Sequence, residues 1–234
     1  GKELSTDRAL VKVAVSSVND RPTLSGLLDQ RVSEDGVGIV AYRIGDAETA
    51  AEALVVRARS SDGDLVTGEH LLLGGAGTER RLAIVPTANR NGTATITVTV
   101  TDPEGLSSDQ TFNLTVRPVN DPPTLTQVRE LTGAVEDSPF SISFEMLAAA
   151  ADEADVDGDS LAFELDTVAS GTLSRDGIAL AAGSTLRRSG EAWVWTPSAD
   201  TNGLVSAFAV RAQDGTTSSA AAIAVRIAVS AVND

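Results

Sequence analysis

The tripeptide Val-Asn-Asp occurs three times in this chain, and its spacing constrains the fold more than any other feature. The copies lie at residues 18–20, 119–121 and 232–234, so that their asparagines are 101 and 113 residues apart. Self-similarity at a nearly constant spacing is typical of a tandem array of like units. Each copy follows an alternating apolar segment. The first two run into Pro22 and Pro122, and proline helps to end a strand because it lacks an N–H group. We therefore interpret the tripeptide as a joint between domains that carries a carboxylate.

The spacing also predicts the domain organisation. A chain of 234 residues suits two domains of about 100 residues each, and we place them at residues 21–121 and 122–234. Residues 1–20 are interpreted as the last strand of a preceding repeat plus its linker, because the segment 9–15 resembles the segments before the two later joints. A strand donated to another chain is the alternative. It is disfavoured because both later repeats already have a closing strand.

Short alternating segments separated by turn signals predict the fold class. In the clearest one, residues 93–101, apolar residues alternate with threonine, so that one face is apolar and the other carries hydroxyl groups. Further strands are predicted at 37–44, 54–59, 82–85, 111–116, 140–144, 161–165, 193–196 and 225–229. Sequences such as Asn-Gly and Asp-Pro-Glu-Gly separate them. Such a pattern predicts an all-β fold of antiparallel β-sandwiches, with one short helix in the alanine-rich segment 147–154.

The strongly acidic composition limits the partners. Lys and Arg number 18 against 33 Asp and Glu, and the formal net charge is −15. Such a surface repels nucleic acids and anionic membranes, whereas it suits hard cations, which prefer oxygen ligands. The chain has no Cys, which rules out thiolate metal sites without fixing the compartment. We find no signal peptide and no bilayer-spanning apolar run, and we expect any export signal to lie outside this sequence.

Acidic residues recur at matching positions of the two repeats. They occur early in each repeat, ahead of the next strand, in the turn before the last strand and at the joint itself. The matching pairs are Glu34-Asp35 with Glu136-Asp137, Asp46-Ala47-Glu48 with Asp155-Val156-Asp157-Gly158-Asp159, and Asp102 with Asp214. In an extended segment alternate residues point the same way, so Asp155, Asp157 and Asp159 are predicted to aim three carboxylates into one small volume.

A divalent cation would relieve the repulsion between such carboxylates. Ca²⁺ accepts about six to eight oxygen ligands in irregular geometry, and Mg²⁺ ranks second because it demands a tighter octahedron. Solvated turn acids are the alternative, which the recurrence at matching positions weakens. An EF-hand fits poorly, because Gly158 would be the fourth rather than the sixth loop residue and Asp166 would replace the final Glu.

The combination of motifs resembles the cadherin-like, immunoglobulin-type repeats of large bacterial surface proteins and RTX-type adhesins. The features that carry the resemblance are the early Glu-Asp, the Asp-Val-Asp-Gly-Asp loop, the Val-Asn-Asp-x-Pro joint and a Pro-x-x-x-x-Asn-Gly turn, present at Pro86–Gly92 and Pro197–Gly203. The resemblance covers nearly the whole chain. It implies tandem Ig-like or cadherin-like β-sandwiches with calcium between successive domains.

By position, the resemblance also implies two sets of calcium ligands. The central joint would use Glu34, Asp35, Asn120, Asp121, Asp155, Asp157, Asp159 and Asp214. The N-terminal joint would use Asn19, Asp20, Asp46, Glu48 and Asp102. This second set is expected to be weaker, because Asp-Ala-Glu replaces Asp-x-Asp-Gly-Asp. Glu136, Asn233 and Asp234 would form half of a third joint.

The function that the resemblance implies is a non-enzymatic, calcium-rigidified extender of an extracellular adhesin or surface fibre. Its partners would be neighbouring repeats and other cell-surface or matrix components, without nucleic acid or direct membrane insertion. A sugar- or protein-binding adhesion module is the alternative, which exposed aromatic rings at Trp193 and Trp195 would support, although such a pair is more typical of a core. An enzyme is disfavoured, because the single histidine, His70, accompanies no nucleophile elbow. Acidic clusters repeated at each joint likewise argue against a glycosidase, which needs one cleft.

Overall fold

The structure, a computed structural model, describes residues 12–233. It divides into two compact units between Val119 and Asn120, and each unit has its own apolar core. Of the predicted closing strand 9–15, residues 9–11 lie outside the described part of the chain. Residues 12–22 are described and have no strand assignment. A strand is held by hydrogen bonds to a neighbour, and none of the recorded strand pairings includes this segment.

The first unit is a sandwich of two four-stranded sheets. Its strands in the described residues are β1 (Thr23–Ser25), β2 (Gln30–Ser33), β3 (Gly38–Gly45), β4 (Val55–Ser60), β5 (Leu71–Ala76), β6 (Glu79–Ile84), β7 (Gly92–Thr101) and β8 (Ser107–Arg117). One sheet has the order β1-β3-β6-β5 and the other β2-β8-β7-β4. All pairs are antiparallel except β2 with β8, which is parallel. The first unit therefore has its first strand in one sheet and its second strand in the other.

Period-two sequences generate this core. In β7, Ala94, Ile96, Val98 and Val100 are buried, and they alternate with threonines on the opposite face because successive side chains of a strand point to opposite sides. The long hairpin β7–β8 pairs Gly92 with Val116 at one end and Thr101 with Ser107 at the other. Alternation predicted both of these strands, while the edge strand β5, with its Leu-Leu-Leu-Gly-Gly sequence, has no alternation and was missed.

The second unit is a sandwich of a four-stranded and a five-stranded sheet. Its strands are β9 (Leu131–Val135), β10 (Phe140–Ser143), β11 (Ala162–Val168), β12 (Thr172–Arg175), β13 (Ile178–Ala179), β14 (Thr185–Leu186), β15 (Ala192–Thr196), β16 (Gly203–Gln213) and β17 (Ile223–Ser230). The sheet orders are β10-β15-β12-β13 and β14-β11-β16-β17-β9. The first strand of this unit, β9, pairs in parallel with the last strand, β17, as β2 does with β8 in the first unit. The predicted fold class, tandem antiparallel β-sandwiches, is confirmed.

The second unit contains one helix that the first lacks among the described residues. Helix α1 spans Phe144–Ala150, and the Ser143 hydroxyl caps it by accepting the backbone N–H of Met146 at 3.2 Å. The predicted helix, 147–154, is therefore displaced toward the C-terminus from its observed position. The predicted strand 140–144 also runs one residue too far, because Phe144 opens the helix. Leu147 and Ala150 are the helix residues buried in the core.

The two tryptophans belong to the core of the second unit. Trp193 and Trp195 lie on one face of β15 and are fully buried. The Trp195 ring N–H donates to the carbonyl of Ser170 at 2.8 Å, and Trp193 packs edge-on against Phe208. Gly171 makes this close packing feasible, because a Cβ there would lie 2.2 Å from the carbonyl oxygen of Thr196. The idea that these two rings form an exposed binding platform is wrong.

Candidate metal centre

In each repeat a buried glutamate holds the valine of the following joint tripeptide. The Glu34 carboxylate accepts the backbone N–H of Val119 at 2.6 Å, and Glu136 accepts that of Val232 at 2.5 Å. Only 2% and 4% of the surface of these glutamates is exposed. Because β2 and β9 run parallel to the last strand of their repeat, the residue that follows them meets the chain as it leaves that strand. Each glutamate thereby fixes the start of a joint.

The second carboxylate oxygen differs between the two glutamates. Oε2 of Glu136 accepts the side-chain amide of Asn202 at 3.0 Å. This bond and the one from Val232 hold the pKa of Glu136 below its usual value, although burial opposes the shift. Oε2 of Glu34 is buried and has no hydrogen-bond partner among the described residues. A buried carboxylate oxygen without a partner is unfavourable, so this atom suits a cation.

The acidic loop of the second unit gathers three carboxylates. Asp155, Asp157 and Asp159 each offer an oxygen, and these oxygens lie within 4.8 Å of one another. Oδ1 of Asp155 accepts the backbone N–H groups of Asp157 at 2.9 Å and Asp159 at 3.1 Å, and Gly158 turns the chain with a φ of +79°. A hydrogen-bonded turn, and not an extended segment, brings the carboxylates together. Oδ2 of Asp155 is buried without a hydrogen-bond partner among the described residues.

The central joint tripeptide is tied to this loop and to a neighbouring turn. The backbone N–H of Asp121 donates to Oδ2 of Asp157 at 2.8 Å, and the Asn120 amide donates to Oδ2 of Asp214 at 2.9 Å. The backbone N–H of Thr217 and the Asn120 amide hold the pKa of Asp214 well below its usual range. Both Asp214 oxygens accept hydrogen bonds within the repeat. Since a carboxylate has about four lone-pair sites, Asp214 is committed to positioning Asn120.

The first repeat holds its own joint tripeptide with the same two contacts. The Asn19 amide donates to Oδ2 of Asp102 at 2.8 Å, and the backbone N–H of Asp20 donates to Oε2 of Glu48 at 3.2 Å. Burial by itself raises the pKa of Asp102, but the bond from Asn19 and the backbone N–H groups of its turn bring that pKa below its usual value. Glu48 thus occupies the place that Asp157 has in the second repeat.

The loop of the first repeat that contains Asp46 and Glu48 also corresponds to the acidic loop of the second repeat. Oδ1 of Asp46 accepts the backbone N–H groups of Glu48 at 2.9 Å and Thr49 at 2.8 Å, while its Oδ2 is buried without a hydrogen-bond partner among the described residues. The position that matches the third carboxylate is Ala50. The first repeat therefore offers two loop carboxylates where the second offers three.

Four other acidic or joint residues of the sequence analysis contribute less to these clusters or lie outside the described residues. Asp35 is exposed. Asn233 is also exposed, and Asp234 lies outside the described residues. Asp137 has a positive φ of 59°, and its Oδ1 accepts the backbone N–H of Asp200 at 3.2 Å. Asn202 was missed as a site residue, although its place in the second Pro-x-x-x-x-Asn-Gly turn was the available signal.

The single histidine lies away from these acidic loops. His70 ends a short 3-10 turn, Gly68–His70, directly before β5. Its backbone N–H donates to Thr67 and its carbonyl accepts from Val85. Its buried Nδ1 has no hydrogen-bond partner among residues 12–233. No base-orienting carboxylate therefore holds this ring in the way that a Ser-His-Asp arrangement requires.

Comparison with known families identifies the class of domain. The model of the bacterial Ig domain family matches the chain twice, over residues 19–115 and 120–226. These matches span most of the sequence and coincide with the two sandwiches. The chain belongs to the bacterial Ig domain family and carries two repeats of that domain. A search of curated proteins finds no match to the sequence.

Solved structures of cadherin repeats share the fold. Protocadherin gamma B2, extracellular cadherin domains 1–5, matches with a TM-score of 0.54 and 16% identity over 93% of this chain and 42% of its own. Protocadherin gammaB7 EC3–6 matches with a TM-score of 0.51 and 17% identity, over 91% of this chain and 51% of its own. Human CDH23 EC21–23 matches with a TM-score of 0.50 and 16% identity, over 90% and 70%. The chain thus spans about half or less of the two protocadherin chains.

The described residues contain no helix that is both long and apolar enough to cross a lipid bilayer.

Proposed function

We propose that this chain is a non-enzymatic extender module of an extracellular adhesin or surface fibre, and that Ca²⁺ stiffens its joints. Tandem bacterial Ig domains with a cadherin-like fold support a stalk built of repeats. In such a stalk the neighbouring repeats of the same protein are the principal partners. The acidic surface, with a formal net charge of −15, supports a role for a divalent cation rather than for nucleic acid.

The observation that carries the calcium proposal is a set of unsatisfied carboxylate oxygens. Oε2 of Glu34, Oδ2 of Asp46 and Oδ2 of Asp155 are buried without hydrogen-bond partners among the described residues. All three residues belong to the ligand sets that the sequence predicts, whereas a fourth such oxygen, Oε2 of Glu153 beside the second loop, belongs to neither set. Random solvated acids would not leave buried oxygens at matching loop positions of two repeats. Oxygen ligands of this kind are the ones that Ca²⁺ prefers, so the residues present fit the ion.

The loop geometry says which oxygens would serve. In the second repeat, Oδ1 of Asp155 is used by backbone N–H groups, so Oδ2 would be the ligand atom, with Asp157 and Asp159 completing the cluster. In the first repeat, Asp46 would act in the same way with Glu48. Asp102 and Asp214 would hold the joint asparagine and act on the ion only indirectly. Bound Ca²⁺ would supply the positive charge that lets these carboxylates lie close together.

The stiffening follows from the backbone contacts of the joint. The valine of the tripeptide is held by the glutamate of the repeat before it, as Val119 is by Glu34. The asparagine and aspartate are held by the repeat after them, as Asn120 is by Asp214. The valine is thus held within the first unit, and the asparagine and aspartate within the second. An ion on the same carboxylates would oppose the release of these residues. The joint would then act as a rigid connection rather than as a flexible linker.

Calorimetry on chelator-treated protein tests the proposal. After EDTA treatment and dialysis, titration with Ca²⁺ should give binding heat, a higher melting temperature and a narrower distribution of lengths in small-angle scattering. Mg²⁺ at the same concentration should produce smaller effects. Calcium stiffening would be refuted if Ca²⁺ gave no binding heat and changed neither the melting temperature nor the scattering. Heat without any change in scattering would refute the mechanical role alone.

A further inference from the structure

The outer face of the β2-β8-β7-β4 sheet carries an unusual group of cations for so acidic a chain. On the edge strand β4, Arg57 and Arg59 are exposed and point to the same side, opposite Thr99 and Thr97 of β7. Together these four residues are called the arginine–threonine face. With the backbone at Ala58 they line a surface cavity of about 230 Å³. The cavity lies entirely within the first repeat and contains none of the predicted calcium ligands.

Arg57 and Arg59 have no acidic partner among the described residues, a property that they share with other exposed arginines such as Arg90 and Arg226. Ion pairs in the described residues involve Arg43 with Glu79, Arg175 and Arg188 with Glu191, and Arg211 with Asp166. Neither Arg57 nor Arg59 forms an ion pair or a side-chain hydrogen bond within residues 12–233. What distinguishes Arg57 and Arg59 is that they are neighbours on one face of a strand and line one cavity. The side chains are therefore available to an anion from outside the chain.

At the corresponding position of the second repeat, the charged side chains have partners within the repeat. Its strand β11 corresponds to β4, and Glu164 and Asp166 take the places of the two arginines. The facing strand supplies Arg211, which is hydrogen-bonded to Asp166 at 3.0 Å, while Ser218 donates to Glu164. The second repeat thus pairs acid with base across the strands. The first repeat presents base with hydroxyl. The nearest acid in these rows, Asp109, lies one strand beyond Thr99 and forms no ion pair with either arginine.

The chemistry of the face selects a polyanion with oxygen acceptors. Arginine presents a planar fork of N–H donors that matches oxyanions, and threonine hydroxyls add further donors. Along a strand, Arg57 and Arg59 are separated by about 6.6–6.8 Å, and β7 lies about 4.8 Å to the side. The face has no aromatic side chain and only Val55 as an exposed apolar neighbour on β4. A protein interface normally has an aromatic or apolar centre, so a hydrated charged chain fits better.

We propose that the arginine–threonine face binds a sulfated polysaccharide. A sulfate ester stays ionised at neutral pH and offers three oxygens, enough to accept from both guanidinium groups and a hydroxyl. A linear polymer carries that anion repeatedly and could follow the open face beyond the cavity. A cavity of this size by itself would need only one anion. The buried tryptophans take no part, and neither does Ca²⁺. The proposed polysaccharide binding therefore does not depend on the proposed calcium sites at the joints.

The alternative explanation of the two arginines is that they protect an edge strand from pairing with another strand. Charged side chains on an edge discourage pairing with another strand, and that role requires no ligand. The two explanations differ in what they expect of Thr97 and Thr99, because edge protection does not use hydroxyl groups on the neighbouring strand. They also differ in whether a soluble polyanion competes for the face.

The test is binding of dextran sulfate to the full chain in EDTA at low salt, with neutral dextran and polyglutamate as comparison polymers. Dextran sulfate should bind, and the binding should weaken steeply as salt is added. The double variant Arg57→Ala/Arg59→Ala should weaken it by at least about tenfold, as expected from losing two charge-assisted contacts. The charge-matched control Arg90→Ala/Arg226→Ala removes two exposed arginines elsewhere and should change affinity by less than about threefold. Thr97→Val/Thr99→Val, which keeps the side-chain shape, should lower affinity about threefold.

Several results would overturn the proposal. One is that dextran sulfate fails to bind the intact chain. Another is that the Arg57→Ala/Arg59→Ala variant loses no more affinity than the control. Equal binding of polyglutamate would point to an acidic peptide and so reject the polysaccharide. Circular dichroism on each variant separates loss of binding from loss of folding. This control matters most for the threonine pair, because Thr97 is largely buried, whereas Arg57 and Arg59 are exposed.

Discussion

The two repeats hold their joint tripeptides alike but differ in the carboxylates behind them. In both, the asparagine amide donates to an aspartate in the turn before the last strand, and the next backbone N–H donates to a loop carboxylate. The second repeat gathers three loop carboxylates within 4.8 Å, whereas the first has Asp46 and Glu48, with alanine at the third position. The two repeats therefore hold their joint residues with the same hydrogen bonds. Under the calcium proposal, the affinity for the cation would depend on the loop carboxylates, which differ between the repeats.

The two joint glutamates also differ in how many of their carboxylate oxygens have hydrogen-bond partners. Glu136 uses both oxygens within its repeat, one for Val232 and one for Asn202. Glu34 uses one oxygen for Val119 and leaves the other buried and unpartnered among the described residues. Glu136 therefore has partners for both of its oxygens, whereas Glu34 has a partner for one, and we propose that a cation takes the other. Substitutions at several positions test this difference between the repeats.

The largest effect is expected at the three-carboxylate loop. Asp157→Asn keeps an acceptor for the Asp121 backbone N–H but removes a charge from the cluster, so calcium affinity should fall by about tenfold or more, because affinity depends on ligand charge. The matched control is Asp64→Asn, which removes the same charge from an exposed loop of the first repeat. Titration calorimetry measures both. Equal losses in the two variants would mean that only net charge matters.

The two glutamates should respond in opposite ways to the same substitution. Glu34→Gln can still accept the Val119 N–H, and it loses only a charged oxygen that has no partner, so the melting temperature in EDTA should hold or rise. Stabilisation by Ca²⁺ should shrink. Glu136→Gln places a donor against the Asn202 amide or the Val232 N–H, and the melting temperature in EDTA should fall by several degrees, because a buried polar group loses its partner.

Thermal melts of the two glutamine variants, with and without Ca²⁺, measure both effects. A large loss of stability in EDTA for Glu34→Gln would contradict the distinction drawn between the glutamates.

Acid should affect the second repeat more than the first. Its carboxylates with lowered pKa are Glu136, Asp152 and Asp214, together with Glu145, whose pKa is lowered to about 2 by the Ser189 hydroxyl and nearby N–H groups. The first repeat has Asp102. A carboxyl group whose pKa is lower in the folded state stabilises the fold above its unfolded pKa, about 4, and loses that contribution as the pH falls through the folded pKa.

The position of the aromatic residues allows the repeats to be followed separately. Both tryptophans lie in the second repeat, so tryptophan fluorescence reports its unfolding, while far-ultraviolet circular dichroism reports both units. In EDTA, between about pH 4 and pH 2, the fluorescence transition should move to lower temperature more than the remaining transition does. Equal shifts would mean that these hydrogen-bonded carboxylates do not determine acid stability.

The smallest effect is a gain in the weaker loop. Thr49→Gly/Ala50→Asp gives the first repeat the glycine and the third carboxylate of the second, and we expect affinity of the weaker calcium step to rise about threefold. Both changes are needed, because the corresponding Gly158 has a positive φ. Ala50→Asp alone is the control and should gain less, as calorimetry on the full chain can show.

Much of the fold could be predicted from local sequence, while the site could be predicted only in outline. Alternation in 93–101 and 111–116 determined strands β7 and β8, because one buried face repeats every two residues. Edge strand β5 was missed because its Leu-Leu-Leu-Gly-Gly segment has no such period. Helix α1 was misplaced because its start depends on the cap at Ser143, which alanine content does not reveal.

Within the site, recurrence of acids located the loops, but it could not assign roles. Asp214 and Asp155 look alike in sequence. The structure shows that both oxygens of Asp214 accept hydrogen bonds, whereas Asp155 has one oxygen that is buried and unpartnered among residues 12–233. The difference depends on Thr217 and Asn120, which are distant from each other in the chain and meet only after folding.

Metal analysis of the protein is the most direct test of the central claim, that cations bind the joint carboxylates. Chelator-treated chain should be equilibrated with equal Ca²⁺ and Mg²⁺, freed of unbound ions by gel filtration and assayed for both metals, beside the triple variant Asp155→Asn/Asp157→Asn/Asp159→Asn. We predict that calcium exceeds magnesium on the unaltered chain and that most of this calcium is lost in the triple variant. An unaltered chain that retains no calcium, or a triple variant that retains as much, would contradict the account.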